Sequence, residues 1–201
     1  MRRITLYKWT HISFLLLIVF LTIDVYKAYK SPLAFLIPLA VFIIPRILIR
    51  VFWKDFYIAR ELMKQRKFQE AIEKYEAFLN EIQNKPWLKY LMMMTSGIYT
   101  RNLPAVVYNN IASCYINASQ LKKGRAAINE SIKLDDQYAI AYYNLAIVDI
   151  IENKIKSAKK NYHKANELGL KTRNFDNFVS NIQKVYNISD QTENKNKPEE
   201  K

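Results

Sequence analysis

The chain has 201 residues and carries 31 Lys and Arg against 18 Asp and Glu, a formal net charge of +13. Its single cysteine excludes an internal disulfide and most structural zinc sites. Three glycines, six prolines, much Lys, Glu, Ala, Leu and Ile, and no alternating strand pattern favour an all-helical chain.

The charge is unevenly spread. Residues 1–54 hold eight Lys and Arg and one Asp, for +7, and residues 55–201 hold the remaining +6. So large an excess on the short N-terminal part argues for a charge bias around a membrane anchor rather than for a nucleic-acid surface.

Residues 1–54 read as a transmembrane hairpin. Trp9 to Tyr26 forms the first span, with an uncharged apolar core from Ile12 to Ile23. Such a helix rises roughly 27 Å, close to the thickness of a bilayer core. Trp9 and Tyr26 stand where interfacial aromatics belong. The run ends in Asp24-Val25-Tyr26-Lys27, a poor cleavage site, which favours an uncleaved anchor over a secretory signal. Pro32 to Val51 forms the second span, with Arg46 and Arg50 four apart and able to reach one interface. Arg2, Arg3 and Lys8 flank the first span, and Arg46, Arg50, Lys54 and Arg60 flank the second, whereas the tip holds only Lys27 and Lys30. The positive-inside rule then predicts both ends in the cytoplasm and the tip outside. No Pro or Gly occurs from Arg46 to Lys85, so the second span should run on into the next helix with little or no break.

Residues 55–187 read as three helical hairpins, an insertion and a cap. The first hairpin, 55–85, places Ala59, Leu62, Ala71, Tyr75 and Phe78 at helical spacing. In the insertion, 86–104, Pro86 can start a helix and Gly97 can end it. Trp87, Leu88, Leu91 and the Met run at 92–94 are too apolar for a solvated loop. Packing against the hairpins is favoured over a Met-rich contact with a partner or the membrane surface. The second and third hairpins, 105–138 and 139–170, match when the chain is slid by 34 residues. Tyr108 then falls on Tyr142, Asn110 on Asn144 and Ala112 on Ala146. From Ala59 to Ala112 the shift is 53, which is the same period plus an insertion of 19. Gly124, Ile128 and Ser131 make the second helix of the middle hairpin the weakest match. Phe175, Val179 and Ile182 continue the register into a cap, 171–187, and the polar tail 188–201 is expected to be disordered.

On these residues the chain resembles the tetratricopeptide repeat (TPR) family. Tyr142, Leu145-Ala146, Ala158, Tyr162 and Ala165 match the family pattern, while Asp149 stands where a Tyr is expected and Leu170 where a Pro is expected. The resemblance extends to membrane-anchored bacterial TPR proteins of unassigned activity. It implies an α-solenoid of about three repeats whose first helices line a groove for a protein or peptide partner. By register the groove would hold Tyr57, Arg60, Asn109, Asn110, Ser113, Asn117, Tyr143, Asn144 and Ile147. The expected role is a membrane-anchored interaction adaptor, a scaffold with its repeats on the cytoplasmic side of the bacterial inner membrane. The alternative is a structural subunit that docks or self-associates through the repeats and the Met-rich insertion.

No Gly-rich phosphate loop, paired catalytic carboxylates or metal-ligand spacing is present, so neither an enzyme nor a cofactor or metal is expected. No nucleic-acid partner is expected either, for want of a motif. His11 and His163 have no catalytic or metal-binding companion nearby in sequence, and Cys114 reads as a packing residue. The basic run Lys154, Lys156, Lys159, Lys160 and Lys164 reads as a solvated face.

Overall fold

A computed structural model of the chain describes residues 3–94, 99–172 and 174–186. Among these are nine α-helices, two 3-10 segments and no strand, so the chain is all-helical as its composition implies.

Two apolar helices open the chain. Helix α1 (Arg3–Tyr29) and α2 (Leu36–Phe52) are joined by a 3-10 turn, Pro32–Phe35. Lys30 takes the left-handed conformation (φ 51°) that ends α1, and its N–H bonds the Tyr26 carbonyl at 2.7 Å. Ser31 Oγ then accepts from the Leu33 N–H at 3.3 Å, and the Tyr26 and Phe35 rings meet 5.4 Å apart across the tip. The stretches Ile12–Tyr29 and Pro32–Phe52 have mean hydropathies of 1.8 and 2.3 and are long and apolar enough to cross a membrane. A core helix of the same composition would bury its apolar surface, yet Leu16, Phe20, Ile44 and Ile47 are each more than half exposed. Thr22 is buried, and its hydroxyl donates to the Ile18 carbonyl at 2.7 Å, so it needs no outside partner.

Helix α2 continues into α3 (Lys54–Lys64) through Trp53 alone. Bonds from Trp53 N–H to Ile49 O (2.9 Å) and from Tyr57 N–H to Trp53 O (3.0 Å) carry the ladder across this residue. The Trp53 ring is buried edge-on against Phe56 and Phe78. The apolar hairpin is therefore joined to the rest of the chain by helix and packed rings, with no linker between them.

Three helix pairs follow: α3 with α4 (Phe68–Asn84), α5 (Leu103–Asn117) with α6 (Leu121–Leu134), and α7 (Ala139–Ile151) with α8 (Ile155–Glu167). Each of α4 and α6 packs on the next pair's first helix, α5 touches α7, and α9 (Phe175–Val185) packs on α7. The pairs share one turn. Arg66, Ser119 and Asn153, 53 and then 34 residues apart, are left-handed at φ 61°, 59° and 59°. Their N–H groups bond Met63, Ile116 and Ile150 carbonyls at 3.0, 3.0 and 2.9 Å. The residues after them, Lys67, Gln120 and Lys154, bond Leu62, Tyr115 and Asp149 carbonyls at 2.9, 2.8 and 2.7 Å. This is the Schellman arrangement three times over. The same two offsets relate the fully buried Ala59, Ala112 and Ala146, and again Tyr75, Ile128 and Tyr162.

The departures at Gly124 and Ser131 have local causes. A Cβ at Gly124 would sit 3.0 Å from Ile116 Cγ1, so the absence of a side chain lets α6 lie against α5. Ser131 Oγ donates to the Ala105 carbonyl at 2.7 Å, tying the same two helices at their other ends.

The insertion differs from the α-helix the sequence suggests. It forms a 3-10 helix over Pro86–Met94. Leu88 and Leu91, three apart, fall in line on such a helix and are both buried, with Met92. Gly97, the expected stop, lies outside the described residues, as does the tail 188–201.

Candidate protein-binding face

The nine residues assigned to a groove by register are carried by α3, α5 and α7, and the structure divides them. Tyr57 (43% exposed) and Arg60 lie open on α3. The half-buried Asn110 on α5 donates toward the hydroxyl of Tyr75, which itself donates to Met63 Sδ at 3.3 Å. Burial pushes the Tyr75 phenol up, and the Asn110 bond and the charge of Arg60 act in the opposite direction. Arg60, Tyr75 and Asn110 are thus neighbours, although Arg60 and Asn110 stand on different hairpins. Asn117 is exposed at the end of α5, where its Nδ2 donates to the Ser113 carbonyl at 2.7 Å.

The other assigned residues are engaged inside the fold. Asn109 is buried, and its Oδ1 accepts from Asn144 Nδ2 at 2.9 Å. The same Asn144 Nδ2 lies 3.3 Å from Ser113 Oγ. These amides and the hydroxyl fasten α5 to α7, which is how buried polar groups on apolar helices are satisfied. Tyr143 is covered by α9: its ring lies 4.9 Å from Phe178 and 6.3 Å from Tyr162. Ile147 is half-buried between the main core of the helix pairs and a smaller apolar cluster of Ala146, Ile150, Ala158, Tyr162 and Phe178. The reachable part of the assigned face is therefore the α3–α5 end, with Tyr57, Arg60, Asn110 and Asn117.

Two features escaped the sequence reading. One is a groove of about 580 Å³ between α4 and α6, floored by Tyr108, Ile111 and Tyr115. These three follow helical spacing on the side of α5 opposite Asn109, Ser113 and Asn117. The other is an ionic cluster centred on Asp149, which has no exposed surface. Its carboxylate accepts from Arg125 (2.6 Å), Ser157 (2.6 Å) and Asn161 (2.7 Å), and Arg125 also reaches Glu152 at 2.7 Å. Burial by itself raises Glu152, but hydrogen bonds from Lys154 and Arg125 outweigh it and hold the carboxyl below its ordinary value. The available signal was the one charged residue in the largely apolar run Ala139–Ile151, which must find partners when buried.

The remaining chemical groups are placed simply. Burial pushes the Cys114 thiol up to about 12, far from a reactive thiolate. His163 is exposed, edge-on to Tyr162. The side chain of His11 lies outside the described residues. Lys156, Lys159, Lys160 and Lys164 are exposed along α8. Among the described residues, no three His, Cys, Asp or Glu side chains converge as a metal site requires. In comparisons with known protein families, curated proteins and solved structures, nothing matches this chain.

Proposed function

We propose that the chain is a membrane-anchored adaptor of the TPR kind. A two-span hairpin fixes a short solenoid of three repeats on the cytoplasmic face of a bacterial inner membrane, and the solenoid binds a protein or peptide. The observation that carries the reading is the agreement between two independent periods. The left-handed turn residues and the buried small residues recur at the same offsets, 53 and 34. Such repeats commonly serve as extended binding surfaces. The reachable end of the face supplies an exposed ring (Tyr57), a cation (Arg60) and amides (Asn110, Asn117), a set suited to the backbone and an acidic side chain of a peptide. Orientation is supported by the basic flanks and by the contact of Arg101 with Thr10, which sets the start of α1 beside the repeats.

The test is photo-crosslinking in the membrane from position 57, with identification of what is caught. The control carries Arg60→Ala and Asn117→Ala, both at exposed positions. A distinct product that disappears in the control supports the adaptor. Products of the chain with itself alone, or products indifferent to both changes, contradict it and leave the structural subunit.

A further inference from the structure

Between α4 and α5, the described stretches before residue 95 and after residue 98 each touch the end of an apolar helix. At one end, Trp87 packs edge-on against Phe52, the last residue of α2, with centroids 4.9 Å apart, and Lys85 Nζ lies 5.6 Å from the same ring. At the other end, Arg101 Nη2 donates to Thr10 Oγ1 at 2.8 Å, and its guanidinium lies 4.2 Å from the centroid of the Tyr7 ring. Phe52 closes the second apolar stretch, Pro32–Phe52, and Tyr7 and Thr10 lie just before the first, Ile12–Tyr29. Lys85 and Trp87 on one side, and Arg101 on the other, thereby lie at the same boundary of the apolar hairpin.

The inner face of the Pro86–Met94 segment is the buried pair Leu88 and Leu91. Its outer face is not the polar surface such a position would carry in water. Trp87 is 44% exposed and Tyr90 61%, and Lys89 Nζ lies 5.3 Å from the Tyr90 ring centroid. Arg50, in the last turn of α2, is exposed too. Exposed Trp and Tyr beside cations match the headgroup region of a bilayer, where a ring sits among acyl ends and its polar edge stays wet. Long basic side chains reach the phosphates from there.

We infer that the Pro86–Met94 segment is an interfacial anchor, lying on the lipid headgroups with Trp87 and Tyr90 inserted and Lys89 at the phosphates. The inference rests on the reading that α1 and α2 span the membrane. The insertion then serves as a third point of attachment, which holds the repeats at a fixed height and tilt over the bilayer.

Tryptophan quenching in reconstituted full-length protein tests it. With Trp9→Phe and Trp53→Phe, Trp87 is the only indole. The expected result is strong quenching by lipids brominated near the headgroup end of the acyl chain and protection from aqueous iodide. A Trp-free protein carrying Phe20→Trp reports mid-span depth in parallel. Free iodide quenching of Trp87, with no effect of brominated lipid, overturns the inference if position 20 is quenched by deep bromines. If position 20 is also untouched by brominated lipid, the spanning reading fails and the inference with it. Because Trp53 is a core residue, Trp87→Phe in the otherwise natural chain provides a second measurement. It should remove the shallow-quenched component of the emission, and an unchanged quenching profile contradicts the inference.

Discussion

Asp149 shows how a single residue is tied to the whole packing arrangement. Removing a charge from water costs several kcal/mol unless partners replace the lost solvation. Here α6, through Arg125, and α8, through Ser157 and Asn161, supply them. Asp149→Ala leaves Arg125 without its buried partner and should cost about 3–5 kcal/mol in denaturant unfolding of the detergent-solubilised protein. Arg125→Met together with Asp149→Leu should recover much of that loss. Glu152 gives a pH signature. Its folded carboxyl titrates below its unfolded value, so its contribution is complete above about pH 4.3 and fades as pH falls through the lower folded value. Glu152→Gln should flatten the acid limb of a stability–pH curve. Cys114 acts at the opposite end. With its thiol raised by burial, the unfolded state loses its proton first, so stability falls above about pH 8.5. Cys114→Ala should reduce that fall, and alkylation of the natural chain should wait for unfolding. Asp149 was visible in the sequence as a mismatch to a repeat pattern and as a charge in a largely apolar run. Its partners lie 24 residues before it and 8 and 12 residues after it, and nothing local marks them.

At the scale of helices and turns, more was legible. The 34-residue offset relates the second and third pairs, and an offset of 53 relates the first to the second, because the small residues that permit close approach recur at both. The turns were less visible, since Arg66, Ser119 and Asn153 share a backbone conformation and little chemistry. Glycine adopts φ near +60° without the penalty a side chain brings. Arg66→Gly and Ser119→Gly should therefore each stabilise by about 0.5–1 kcal/mol, read as a shift in unfolding midpoint at constant slope. Gly124 is the reverse case: Gly124→Leu drives a side chain into Ile116 and should cost about 1–3 kcal/mol. In the insertion Leu88, Leu91 and Met92 are packed while Trp87 and Tyr90 are exposed, and the 3-10 period was not legible because a run of Leu and Met fits either period over so few residues. The binding face was legible only by register. Register places a side chain on a helix but does not reveal that Asn144 spends its amide on Asn109 or that α9 covers Tyr143.

At the scale of the molecule, the helical passage through Trp53, the Trp87–Phe52 contact and the Arg101–Thr10 bond join the apolar hairpin to the helix pairs at three points. On the proposed reading, a domain held in this way is presented to its partners at one height and in one orientation over the membrane. Anchoring of the repeats on the cytoplasmic side by α1 and α2 is the central claim. It is tested most directly by cysteine labelling in intact cells with a membrane-impermeant maleimide. Tyr29→Cys, at the exposed hairpin tip, should label from outside. Lys156→Cys, exposed on α8, should label only after the membrane is permeabilised. Labelling of position 156 in intact cells, or protection of position 29 until permeabilisation, would contradict the account.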